Sequence, residues 1–104
     1  MKYITSSNNH LIKQATKIKN SKRFREESKL ALVSGLDTIL ELSSFTPPYA
    51  VFATEELKTQ LNSIDSSYIH LCPKEIIGKI TGLPSPDAIC ALFPIPRPEL
   101  KGSK

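Results

Sequence analysis

Four short apolar runs are spaced along this chain at near-regular intervals: residues 30–33, 49–53, 68–72 and 88–93. Each has strand length and is bounded by glycine, proline or polar turn residues, which favours strand over buried helix. The segments between them carry helical periodicity instead. Leu36, Ile39, Leu40 and Leu42 mark one helix, which ends at the loop 43–48 because its prolines cannot continue it. Residues 55–61 read as a second helix. Pro73 suits the first turn of a third, which bears Ile76, Ile77 and Ile80. The body therefore reads β-α-β-α-β-α-β. Near-continuous apolar strands are those buried on both faces, so the pattern predicts an α/β fold. Its four-stranded sheet would be mixed or mostly parallel and covered by helices on both sides.

Ahead of this body lies a different kind of segment. Ser7 and Asn8 offer a helix cap, and Leu11, Ala15 and Ile18 recur at helical spacing with Lys13 and Lys17 on the opposite face. Ser21 can cap a short second helix, 22–27, carrying Arg23 and Arg25. The first acidic residue of the chain is Glu26, and seven lysines and arginines precede it, so residues 1–25 carry a formal +7. Residues 26–104 hold seven basic against ten acidic side chains, a formal −3, and the overall +4 hides this division. A cationic helical arm on a mildly acidic body reads as a surface that meets a polyanion, nucleic acid being the commonest. The competing reading is a solvated helix face with no partner, and charge alone does not choose between them.

Length and composition narrow the classes. A chain of 104 residues with 39% hydrophobic and 23% charged content is one globular domain, able to bury a core without metals or disulfides. The longest apolar run, 88–93, is far short of the roughly 20 residues a membrane span needs. Lys2 is not followed by a signal-peptide core, so the expectation is a cytoplasmic protein. Cys72 and Cys90 form no CxxC and lie in strand-like runs, where they read as small buried hydrophobes rather than metal or redox groups. Residues 94–104 place Pro94, Pro96 and Pro98 in alternation, the mark of an extended, semi-rigid linker. The expected layout is a basic helical arm over 1–28, belonging to the same domain, an α/β domain over 29–93, and a linker over 94–104.

Catalytic constellations are sparse. The only histidines are His10 and His70, and His70 sits mid-strand between Ile69 and Leu71 as a structural residue would. No glycine-rich phosphate loop occurs. Gly35 follows a strand and opens a helix. A tight turn accounts for it; backbone N–H groups of the next helix facing an anion are the alternative. The adjacent acids Glu26-Glu27 and Glu55-Glu56 stand at helix starts, where they complement the macrodipole. The chain does not read as a complete enzyme.

The N-terminal words are more specific than their charges. Ile4-Thr5-Ser6-Ser7-Asn8-Asn9-His10-Leu11-Ile12-Lys13 reads I-T-S-x-x-N-x-x-I-K; Ser21-Lys22-Arg23-Phe24-Arg25 follows, then Leu32-Val33-Ser34-Gly35 with Glu41 in the next helix. This order resembles the N-terminal substrate-binding domain of the SpoU/TrmH family of RNA 2′-O-ribose methyltransferases, and Ile89–Phe93 is similar to the last strand of that domain. The resemblance covers roughly residues 3–93. It implies a three-layer α/β/α sandwich, similar to ribosomal proteins that bind kinked RNA, which guides RNA to a separate knotted domain holding S-adenosylmethionine.

Carried over by that resemblance, Asn9, Lys13, Lys22, Arg25 and Gly35 match the family's motif positions, and Lys17 and Arg23 join them as neighbouring cations of the RNA face. Four positions depart from the pattern: Ala31 stands for the family's phenylalanine, Ser34 for its glutamate, Asp37 for a basic residue and Ala88 for a glycine. The family's Asn-x-Gly, G-x-E and S-L-N motifs do not occur. The expectation is thus no cofactor in this chain and S-adenosylmethionine in a parent enzyme. The implied partner is structured RNA, ribosomal RNA ahead of transfer RNA, with no membrane; a homodimer through the absent catalytic domain is allowed. Two alternatives stay open: a protein-interaction or dimerisation module, motivated by Ala31, Ser34 and Asp37, and a free-standing RNA-binding protein.

Overall fold

All four apolar runs become strands of one sheet. The structure is a computed structural model that describes residues 2–6, 8–82 and 88–95. In chain order its elements are β1 (Lys2–Tyr3), α1 (His10–Asn20), α2 (Lys22–Ser28), β2 (Leu30–Ser34), α3 (Leu36–Ser43), β3 (Ala50–Ala53), β4 (Ile69–Leu71), α4 (Lys74–Thr81) and β5 (Ile89–Pro94). Between β3 and β4 the expected helix is a 3-10 helix, Glu55–Leu61, followed by a shorter one, Ser66–Tyr68.

The sheet has five strands, not the expected four, in the order β1-β4-β3-β5-β2. The additional strand is β1. Two residues show no alternation that periodicity could detect, and β1 exists because β4 offers it an unpaired edge. Lys2 registers with His70 and Tyr3 with Leu71, and the Ile4 N–H donates to the Leu71 carbonyl at 2.8 Å. The sheet is mixed in equal parts: β1, β4 and β3 run parallel, while β5 is antiparallel to both β3 and β2.

Alternation along the strands divides the core in two. Leu30, Ala50, Phe52, Cys72, Cys90 and Leu92 face Ile12, Ala15 and Ile18 of α1 and Ile76, Ile77 and Ile80 of α4. Val51, Ala53, Ile69, Leu71, Ile89, Ala91 and Phe93 face Ile39 of α3 together with Leu61 and Ile64. Helices thus cover both sheet faces, the expected α/β/α sandwich. Each fully buried aliphatic or aromatic side chain contributes about 1.5–3 kcal/mol, so these two layers supply most of the driving force. Residues 31–33 of β2 are only half-buried, because β2 lies at the sheet edge. A continuous apolar run did not imply a fully covered strand.

Local signals set the helix ends, with small corrections. α1 is capped by Asn9, whose Oδ1 accepts the Leu11 N–H at 2.8 Å; Asn8 is an exposed turn residue and Ser7 lies outside the described residues. Leu11 is partly buried, and Ile12 completes the apolar stripe with Ala15 and Ile18. The Ser21 hydroxyl accepts the Phe24 N–H at 3.1 Å and caps α2, as expected. Pro73 stands one residue before α4, at the cap, and α4 ends on Gly82 with φ +73°. Residues 83–87 fall outside the described residues. The expected linker, 94–104, begins two residues too early: Pro94 ends β5 opposite Leu30 and the Ile95 N–H donates to the Lys29 carbonyl at 2.8 Å, while 96–104 lie outside the described residues. Among the described residues no helix is long and apolar enough to cross a membrane.

Candidate nucleic-acid interface

Burial of Ile12, Ala15 and Ile18 fixes what α1 shows to solvent. Lys13 and Lys17 lie on the opposite face, exposed and one turn apart. The Lys17 ammonium sits 4.9 Å from the centroid of the Phe24 ring, a cation–π contact of about 0.5–1 kcal/mol at an exposed site. It ties the free end of a flexible side chain to α2. Asn9 lies at the head of the same helix, but its side-chain oxygen is already engaged as the cap.

The cations of α2 differ in what they do. Lys22 is exposed. Arg23 Nε reaches Glu27 Oε2 at 3.3 Å, with both side chains largely in solvent (88% and 62% exposed). Such an exposed pair is worth about 0–1 kcal/mol and is screened by salt, so Arg23 exchanges readily onto another anion. Arg25 is half-buried, and its Nη1 donates to the carbonyl oxygens of Ile18 (2.9 Å) and Lys19 (3.2 Å). It closes the C-terminal end of α1, where a cation also complements the helix dipole. Arg25 is therefore first a clamp between two helices.

Two grooves flank the C-terminal half of α1. One, of about 560 Å³, lies between α1 and α4 and is lined by Lys13, Lys17 and Lys79 with Thr16, Asn20, Ser21 and Ile12. The other, of about 410 Å³, is bounded by Lys19, Arg25, Thr81 and the edge strand β2. The sequence reading missed Lys79 and Lys19. The Ile76, Ile77 and Ile80 stripe placed Lys79 on the exposed side of its helix, but only the packing of α4 against α1 brings it to Lys13 and Lys17.

Gly35 lines neither groove. It caps α3, which packs on the opposite sheet face, and its φ of +95° lies where side-chain-bearing residues are strained. A Cβ there would meet only the Thr38 hydroxyl at 3.8 Å, an ordinary contact, so the backbone and not crowding demands glycine. Asp37 occupies the first turn of α3 and already complements its dipole. The tight-turn reading of Gly35 is the one this geometry supports.

Acidic side chains occur both on α2, as Glu26 and Glu27, and around a separate cleft of about 470 Å³ at the carboxyl ends of β1, β3 and β4. There Glu55, Glu56 and Glu75 stand with Lys74, and the Tyr3 hydroxyl donates to Glu55 at 3.4 Å. The titratable groups within the core are arranged for packing. His70 stacks on Phe52, ring centroids 5.7 Å apart, and burial first, then the charge of Lys2, holds its pKa below the ordinary 6.5. Burial pushes the Cys72 thiol up to about 11 and the Cys90 thiol to about 12, so neither supplies a thiolate near neutral pH.

No protein-family model matches this sequence, and no curated protein matches it. Solved structures do. An rRNA methyltransferase from Sinorhizobium meliloti superposes with a TM-score of 0.76 at 17% identity, covering 92% of this chain and 37% of its own. The AdoMet-bound form of an rRNA methyltransferase from the same organism gives 0.80 at 16% identity over 97% of this chain and 39% of its own. An RNA 2′-O ribose methyltransferase gives 0.73 at 17% identity, over 92% and 38%. The chain thus has the fold of one part of these enzymes and spans less than two-fifths of their length.

Proposed function

We propose that this chain is the RNA-recognition, substrate-binding domain of a larger RNA 2′-O-ribose methyltransferase. Structured RNA is its partner, with ribosomal RNA ranked before transfer RNA. One observation carries the reading. In a chain with the fold of part of such enzymes, the exposed cations of α1 and α2 gather on one helical layer, and α1 carries no acidic residue to offset them. Lys13, Lys17, Lys22 and Arg23 hold phosphates, which supplies affinity and orientation but little sequence information. Asn9 and Arg25 shape the same surface as cap and clamp, and Gly35 shapes the turn after β2. Methyl transfer and S-adenosylmethionine belong to the remainder of the parent protein.

Salt dependence tests this directly. Four or five phosphate contacts make log K fall with log salt at a slope of about −3 to −4. The measurement is a fluorescence titration of the chain against a labelled stem–loop RNA at several salt concentrations. A flat response removes the RNA reading. The exposed Phe45 (80%) and Tyr49 (47%) favour a second reading, a protein-interaction or dimerisation module. That reading requires a dimer in sedimentation without RNA that keeps its mass when Arg23 and Arg25 become alanine.

A further inference from the structure

Three lysines from two separate helices line the open groove between α1 and α4: Lys13 and Lys17 from one side, Lys79 from the other. Among the described residues no acidic side chain lines it. This arrangement is costly on its own terms, because like charges four residues apart on a helix destabilise it and a third cation adds to the repulsion. The neighbouring helix shows the cheaper arrangement, since α2 places Glu27 four residues after Arg23 and forms an ion pair. Within α1 no acid occurs at all. A surface shaped for stability or solubility alone would alternate signs here as α2 does.

The uncharged lining has matching chemistry. Ser21 Oγ accepts the Phe24 N–H and keeps its own O–H for an outside acceptor. Asn20 is exposed at the groove rim with an amide that donates. Thr16, by contrast, donates its hydroxyl to the Ile12 carbonyl at 2.9 Å and presents only its oxygen and methyl. Lys17 is steadied over Phe24 and retains ammonium hydrogens for a ligand. The ligand this lining fits is an anion with several oxygen acceptors spread over more than one lysine. Asn20 and Ser21 line the groove at the C-terminal end of α1, and Lys19, one residue before Asn20 in the chain, lines the second groove with Arg25.

We propose that the groove between α1 and α4 seats the phosphodiester backbone of an RNA strand, with Lys79 a contact residue alongside Lys13 and Lys17, and that the strand continues toward Lys19 beyond Ser21. The inference rests on the RNA-binding reading and deepens it by assigning a path and a residue from a distant part of the sequence.

The test compares Lys79→Ala and Lys79→Arg with Lys58→Ala. Lys58 is exposed on the 3-10 helix that packs on the opposite sheet face, so its variant makes the same change in net charge away from the groove. Each full-length variant is titrated with the labelled stem–loop RNA across salt concentrations, and its thermal melt is recorded to show that it is folded. Lys79→Ala is expected to weaken binding roughly 3–10-fold and to reduce the salt slope by about 1. Lys79→Arg keeps the wild-type slope, and Lys58→Ala leaves both quantities unchanged. If the unaltered chain binds RNA with a steep salt slope while Lys79→Ala matches Lys58→Ala, the groove is not the path and the RNA reading survives. If the unaltered chain shows no salt-dependent binding, both fall together.

Discussion

Arg23 and Arg25 are two residues apart and identical in chemistry, yet they sit in different energetic settings. The guanidinium of Arg23 lies in water beside Glu27, whereas that of Arg25 is half-buried and donates to two carbonyls at the end of α1. Removing Arg25 leaves those carbonyls without their charged donor and loosens α2 from α1. Arg25→Ala is expected to lower the unfolding free energy by about 1.5–3 kcal/mol, as for a hydrogen bond to a charged group. Arg23→Ala should stay within about 0.5 kcal/mol, the range of exposed surface substitutions. Urea denaturation of the two variants checks this, and equal midpoints would mean that the clamp does not operate. The same contrast runs through the other cations. Resemblance and charge put Arg25 among the expected RNA contacts, but neither shows where a guanidinium already has partners. Asn9 repeats the point: by sequence Ser7 and Asn8 offer the cap, whereas the Asn9 side chain is the one that accepts the Leu11 N–H.

The edge formed by β1 and β4 is the thinnest part of the sheet. β1 contributes two paired residues, and behind them His70 is buried against Phe52 with Lys2 registered beside it. Burial and the Lys2 charge both disfavour the protonated ring, so the folded-state pKa lies below the ordinary 6.5. The unfolded chain then binds the proton more readily than the folded one. His70 therefore costs no stability above about pH 6.5; stability falls as pH drops below that value, and the decline ends once the depressed pKa is passed. Thermal melts at a series of pH values should show this decline, and His70→Gln should remove it. An unaltered decline in that variant would assign the effect to other groups. The expected strand at 68–72 correctly placed His70 in the sheet. It did not reveal the edge, because β1 is too short to announce itself.

At the scale of the whole molecule, the fold matches part of several RNA methyltransferases while spanning less than two-fifths of their length. The two grooves that flank α1 are lined by lysines, hydroxyls and an edge strand, and no glycine-rich loop follows any strand among the described residues. Calorimetric titration with S-adenosylmethionine should accordingly reveal no one-to-one site tighter than about 100 μM. Such a site would place cofactor binding within these residues and overturn the proposal that methyl transfer lies outside them. Local pattern alone determined the four longer strands and the α-helices between them, the apolar stripes of α1 and α4, that helices cover both faces of a sheet, and that the N-terminal helices are cationic. These properties depend on period and composition over a few residues, which a single segment carries by itself. Tertiary structure decided the strand order with β5 between β3 and β2, the recruitment of β1, the commitment of Arg25 to α1, and the meeting of Lys79 with Lys13 and Lys17. An apolar stripe says that a helix must pack but not against what. That choice is made by burying all the stripes at once, so contacts between distant residues exist only in the assembled chain.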